Sequence, residues 1–176
     1  MSRKQLFLNF ISCLEKEAFD KLDKKNIAGR TWMDPFRTPK PPPLEDYMLR
    51  FDENIDKLHA KNQEDLLSQS SFVITLALIL RLSKRFDVSK DTIHRLFAAT
   101  MTLSCKFCDD YYLKNSCLAS MLGLNLKELN QLEGIVFKLL RFDIMMNEKQ
   151  KEFETVKEKL MMHQKKEEKN DEKKND

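Results

Sequence analysis

Apolar residues at helical spacing open the chain. Leu6, Phe10 and Leu14 stand four residues apart. This spacing predicts an amphipathic helix within residues 1–29, because residues four apart lie on one face of an α-helix. We expect that helix to pack across the domain that follows it rather than to stand alone.

The prolines separate this helix from the rest of the chain. All five fall within Pro35–Pro43, and proline lacks the N–H that a helix interior needs. Residues 30–43 are therefore expected to form an extended, proline-rich linker close to polyproline II. The linker also carries Thr38-Pro39, a minimal sequence for phosphorylation by a proline-directed kinase.

Helical patterns follow one another from Leu44 onward, where no proline occurs. The predicted helices lie at about 44–58, 64–86, 89–108, 115–123, 126–140 and 147–160. They predict an all-α fold with one domain at 44–162. Residues 163–176 hold charged and polar side chains without an apolar one, so we expect a disordered charged tail there.

Capping residues support two of these helices. Asn125 with Glu128 three residues later forms a capping-box-like start. In the shorter helix at 115–123, Asn115 is expected to be the N-terminal cap. Gly123 is expected to end that helix in a left-handed conformation.

The composition narrows the function classes. The 176 residues hold 31 basic and 28 acidic side chains, and the net charge of +3 lies within residues 1–50. The rest of the chain is neutral, which argues against direct nucleic-acid binding. The apolar run Phe72–Leu80 is too short to span a bilayer, and residues 1–14 do not resemble a signal peptide. We expect an intracellular protein, in the cytoplasm or nucleus, that binds no membrane and requires no homo-oligomer.

No residue pattern indicates an active site. His59, His94 and His163 stand in no nucleophile or metal motif. Cys105 and Cys108 match C-x-x-C near the C-terminal end of a predicted helix, where the helix dipole raises a thiol pKa instead of lowering it. We expect both to pack as small core residues, in a protein that is not an enzyme and takes no cofactor or metal.

Charged residues near apolar positions are the candidates for binding a partner. Asp109 and Asp110 follow the carbonyl end of a predicted helix and oppose its dipole, which leaves open a solvated junction or a spot for a partner's cation. Lys106 and Glu133 each lie among core positions of separate helices. Such residues either pair with each other or, if they share one face, hold backbone groups of another protein.

One ordered string of residues, spread over about 64–160, carries a family resemblance. It comprises Ile93-His94-Arg95-Leu96, Ser104-Cys105-Lys106-Phe107-Cys108-Asp109-Asp110, Asn115, Ala119, Gly123, Glu128-Leu129-Asn130-Gln131-Leu132-Glu133 and Leu140-Arg141-Phe142-Asp143-Ile144. This string resembles the cyclin box, and within it the PHO-type group of P- and U-type cyclins. Residues 1–63 lie outside the resemblance.

The resemblance implies both a fold and a function. The fold would be a single five-helix cyclin-box bundle, and the protein a regulatory subunit that activates a cyclin-dependent kinase by docking on its C-helix. Lys106 and Glu133 match the residues that hold the kinase's C-helix region, with Phe107 and Asp109 beside them. Asp110 is the candidate for pairing with a kinase arginine.

Two other functions stay open. A helical scaffold would recruit an SH3- or WW-like domain through the proline-rich segment, and would need neither Lys106 nor Glu133. A cyclin-fold protein associated with transcription would need a basic surface, which the neutral charge of residues 51–176 argues against.

Overall fold

The computed structural model describes residues 3–19, 34–62, 67–109, 113–144 and 151–161, which hold seven α-helices and no β-strand. The helices are α1 (Arg3–Leu14, continued by a π-helical turn at Glu15–Phe19), α2 (Leu44–Asn62), α3 (Gln69–Ser83), α4 (Ile93–Cys108), α5 (Asn115–Met121), α6 (Leu126–Leu139) and α7 (residues 151–161). The all-α prediction is confirmed. The predicted tail at 163–176 lies outside the described residues.

Helix α4 is the centre of a five-helix bundle formed by α2–α6. It contacts α2, α3, α5 and α6, and most of its side chains are buried. Its buried hydroxyl groups at Thr100, Thr102 and Ser104 each donate a hydrogen bond to the carbonyl four residues earlier. These bonds satisfy polar groups that would otherwise be costly to bury, so α4 can be surrounded on all sides.

An aromatic cluster fixes α1 onto the bundle. The ring of Phe7 lies 5.1 Å from Phe72 on α3 and 6.4 Å from Phe51 on α2, between centroids and edge to face. Phe10 contacts Phe97 of α4 in the same way at 5.6 Å. Edge-to-face contacts of buried rings are favourable beyond their apolar area. The prediction that the opening helix packs across the domain is confirmed.

Helix α7 closes the bundle against α1. The Asn9 side-chain amide donates a hydrogen bond of 2.6 Å to the Leu160 carbonyl, and Val156 and Leu160 are buried. Lys159 also pairs with Glu17 in the π-helical turn. The two most distant described parts of the chain therefore pack together.

The proline-rich linker departs from the predicted polyproline-like conformation, and Lys40 within it has φ +49°. It contains a 3₁₀ turn at residues 34–36, whose Phe36 side chain is fully buried. Residues 37–43, which we call the proline strap, then cross the start of α4. The Thr38 N–H donates to the Asp91 carbonyl at 2.8 Å, and the Arg95 guanidinium donates to the Arg37 carbonyl.

The turn between α5 and α6 follows the predicted capping rules with one correction. Gly123 has φ +70°, and the Leu124 N–H donates to the Ala119 carbonyl, as in a Schellman motif. The Glu128 N–H donates to the Asn125 side chain at 2.8 Å, which confirms the predicted cap of α6. The prediction that Asn115 caps α5 is wrong, since α5 begins at Asn115 and its side chain reaches α6 instead.

Alanine substitution of the two described glycines should have opposite effects on the free energy of unfolding. Gly123→Ala should lower the free energy of unfolding by about 1–2 kcal/mol, because an L-residue is strained at that φ. Gly134→Ala should raise it by about 0.5–1 kcal/mol, because Gly134 lies exposed inside α6 with no atom in the way of a Cβ. Urea denaturation of both variants checks this, and shifts of the same sign would contradict it.

Candidate functional site

An ion pair joins the two charged residues singled out in the sequence. The Lys106 Nζ, on the last turn of α4, lies 2.5 Å from the Glu133 Oε1 in the middle of α6. The Lys106 side chain is 33% exposed and that of Glu133 14% exposed. A cation and an anion are thus held side by side at the protein surface, within reach of another chain.

Asn115 holds the second oxygen of the same carboxylate. Its side-chain amide lies 2.8 Å from the Glu133 Oε2 and 2.7 Å from the Asn130 Oδ1. Glu133 is therefore oriented from two sides, by Lys106 and by Asn115. The sequence predicts Asn115 as a helix cap. A sequence signal for its observed role is that Asn130 and Glu133 share a face of α6.

Two aromatic side chains near the ends of α4 and α6 are exposed. Phe107, next to Lys106, is 50% exposed, and Phe142 is 64% exposed. Phe142 follows Arg141 in a turn where both residues have positive φ, and its ring lies edge to face on Phe137 at 4.9 Å. Both rings offer apolar area that a binding partner could cover.

Asp109 has a structural role that the sequence did not predict. Its carboxylate accepts a hydrogen bond of 2.9 Å from the Ser71 hydroxyl and one of 3.4 Å from the Ser68 N–H, at the start of α3. A negative charge is favourable at a helix N-terminus, which offsets its unfavourable position at the end of α4. Asp110 lies outside the described residues, and the predicted contact of both residues with a kinase stays a prediction.

The cyclin family model matches residues 15–144, about three-quarters of the chain. This chain belongs to the cyclin family. Among curated proteins, PHO85 cyclin-6 of Saccharomyces cerevisiae is 37% identical over 62 residues, which are 35% of this chain and 15% of that protein. The likeness supports a PHO-type cyclin box, and the matched segment spans only a small part of the yeast protein.

The extent of the family match corrects the extent expected from sequence. Residues 15–63, expected to lie outside the resemblance, fall inside the matched region, whereas 145–160 fall beyond it. The matched region includes the whole of α2 and the proline strap. Every residue of the ion pair and its amide neighbours lies within the cyclin match.

The prediction that both cysteines of this cyclin pack in the core is confirmed for Cys105, which is fully buried. Cys108 is only half-buried, and both thiols are free. Burial, together with the neighbouring Asp109 carboxylate, raises the pKa of Cys105 well above its usual value and that of Cys108 to about 11. Both thiols are thus protonated at neutral pH, as core residues would be.

The described ranges contain neither a metal-binding cluster nor a membrane-spanning helix. Within the described ranges, no group of three or more histidine, cysteine, aspartate or glutamate side chains is placed to hold a metal ion. The helices of those ranges also include none that is both long and apolar enough to cross a membrane.

Proposed function

We propose that this cyclin is the regulatory subunit of a cyclin-dependent kinase, and that it activates the kinase by docking on the C-helix. It would supply no catalytic residue of its own. The observation that carries the proposal is the Lys106–Glu133 pair, which presents opposite charges at 2.5 Å on two neighbouring helices. Membership of the cyclin family and the likeness to PHO85 cyclin-6 support a regulatory role.

The chemistry of the pair suits the backbone around a helix. The Lys106 ammonium can donate hydrogen bonds to carbonyl oxygens, which are unsatisfied at a helix C-terminus. The Glu133 carboxylate can accept hydrogen bonds from N–H groups, which are unsatisfied at a helix N-terminus. Together they would fix both the position and the direction of a segment that approaches the site.

Neighbouring residues would hold and extend this contact. Asn115 keeps one Glu133 oxygen in place when Lys106 turns toward the partner. Phe107, half exposed beside Lys106, would supply the apolar anchor that hot spots of protein interfaces usually contain. Asp109 and Asp110 would add negative charge for a kinase arginine.

Docking would activate the kinase by shifting a population. A kinase is active when its C-helix lies inward and its Lys–Glu ion pair forms. A cyclin that binds only the inward position stabilises that state by its binding free energy. Localisation would follow that of the kinase, inside the cell.

Affinity purification of the tagged cyclin from its own cells tests this function. A protein kinase should co-purify at close to one-to-one. Lys106→Glu should weaken kinase affinity by about 30-fold or more and lower kinase recovery accordingly, since losing one partner of a desolvated charge contact costs about 2–5 kcal/mol. The measurement is the kinase-to-cyclin ratio, with helicity followed by circular dichroism.

Arg95→Glu is the matched control for this variant. Arg95 lies on the same helix and also pairs with α6, through Glu128 at 2.8 Å. Because Arg95 lies near the start of α4 and Lys106 near its end, kinase recovery should stay at the wild-type value in this control. If Lys106→Glu still bound and activated the kinase, the docking site would be wrong. Recovery of an SH3- or WW-bearing protein or of transcription components, without a kinase, would overturn the proposed function.

A further inference from the structure

The proline strap covers a cavity far along α4 from the ion pair. The cavity has a volume of about 370 Å³ and lies between the strap, α2, the start of α4 and the turn between α5 and α6. Its charged and polar lining includes Thr38 of the strap, Arg50 of α2, His94 and Arg95 of α4, and Glu128 of α6. The cavity wall carries two arginines and one glutamate, so its net charge is positive.

Two polar atoms of this lining, the Thr38 Oγ1 and the Arg95 Nε, are buried without a hydrogen-bond partner. Buried polar atoms normally have a partner. The unsatisfied Arg95 nitrogen is a donor, which favours a ligand that accepts hydrogen bonds.

We propose that Thr38 is a phosphorylation site and that this cavity binds its phosphate through Arg95 and Arg50. Thr38 is followed by Pro39, whose side chain is exposed. A separate proline-directed kinase would transfer the γ-phosphoryl group of a nucleoside triphosphate to the Thr38 Oγ1. The bond between the γ-phosphorus and the β–γ bridging oxygen breaks, the diphosphate leaves, and the hydroxyl proton is released. The inference therefore does not rest on the proposed kinase partner.

The strap can open to receive this modification. The start of the strap is held by a hydrogen bond from Arg95 of α4 to the Arg37 carbonyl and by one from the Thr38 N–H to the Asp91 carbonyl, just before α4. Most residues of the strap are exposed. Segments with few buried contacts open locally far more often than the whole protein unfolds, so the buried Thr38 hydroxyl becomes accessible.

The phosphate would then tighten the strap. It adds about −1.5 to −2 charges and three acceptor oxygens at the position of Thr38. Arg95 is already within hydrogen-bond distance of the neighbouring Arg37 carbonyl, so its guanidinium is placed to receive the phosphate. The phosphate would compete there with Glu128, which pairs with Arg95 in the unmodified protein.

The test compares the full chain with and without phosphothreonine at position 38. A recombinant proline-directed kinase with ATP should modify Thr38, as mapped by mass spectrometry, and Thr38→Val should abolish that product. Phosphorylation should raise the melting temperature by about 2–4 °C and slow hydrogen exchange of the strap amides. In Arg95→Gln the same phosphorylation should give no increase in melting temperature.

Three results would overturn the proposal. One is an unmodified Thr38 in the full chain under conditions in which the kinase modifies a peptide of residues 31–45. Another is a melting temperature that falls or stays constant on phosphorylation. The third is an increase that is equally large in Arg95→Gln, which would show that the phosphate is stabilised somewhere other than the cavity.

Discussion

The double variant Lys106→Glu/Glu133→Lys is expected to fold like the wild-type protein and to lose its kinase. The exchange keeps one cation and one anion between α4 and α6, so the internal ion pair can re-form with its direction reversed. Asn115 can turn its amide oxygen toward the new ammonium group. The free energy of unfolding should change by about 0.5 kcal/mol or less, since the pair is partly exposed.

Kinase binding by the double variant should fall by about 30-fold or more. A kinase segment that offered carbonyl groups to Lys106 would meet a carboxylate, and its N–H groups would meet an ammonium. Urea denaturation gives the stability, and titration of the purified kinase gives the affinity. If the ion pair were purely structural, the exchange would leave both the stability and the kinase affinity unchanged.

Arg95→Glu/Glu128→Arg is the control for this exchange. It reverses a second ion pair between the same two helices, at 2.8 Å, near the start of α4. It should leave kinase affinity unchanged. Equal losses of affinity in both double variants would mean that charge reversal acts through the packing of α4 on α6, and would contradict docking at Lys106 and Glu133.

Phe97→Ala should be the most destabilising of the single substitutions considered, at about 3–5 kcal/mol. Phe97 is fully buried on α4, and its ring contacts Phe10, Phe51 and Tyr47 at centroid distances of 5.6, 5.7 and 6.3 Å. Truncation removes these contacts and leaves a cavity where three helices meet. Most natural domains are stable by only about 5–15 kcal/mol, so a large part of the stability is lost.

Phe107→Ala supplies the comparison for this prediction. It removes the same ring from the same helix, but at a position that is 50% exposed. Its free energy of unfolding should change by about 1 kcal/mol or less, while kinase binding weakens. Urea denaturation of both variants measures the difference. Comparable losses of stability would show that Phe107 packs in the core, contrary to its exposure.

Local features of the fold were predictable from the sequence. Asn125 and Glu128 stand three residues apart, and that spacing alone specifies the start of α6. Gly123 ends α5 because few other residues accept a positive φ. The end of α6 was not predictable in this way, since Arg141 and Phe142 both adopt a positive φ without being glycine.

Contacts between helices were harder to predict from the sequence. The sequence left open whether Lys106 and Glu133 pair with each other or hold the backbone of another protein. They are 27 positions apart, and spacing along the chain does not show whether residues so far apart meet. The Asp109 carboxylate contacts Ser71, which is 38 positions away at the N-terminus of α3. Asp109 itself lies at the C-terminal end of α4. Both outcomes depend on how α4 crosses its neighbours, which local propensity does not determine.

The contact between α1 and α7 sets an order for assembling this cyclin. Asn9 and Leu160 are 151 positions apart, whereas the main helix contacts are between elements near in sequence, such as α3 with α4. Joining the ends of so long a loop carries an entropy cost that grows with the logarithm of loop length, of order (3/2)RT ln n. The bundle around α4 can form first and offer α7 a prepared surface. During synthesis, α1 must therefore wait until residue 160 has been made before α7 can pack against it.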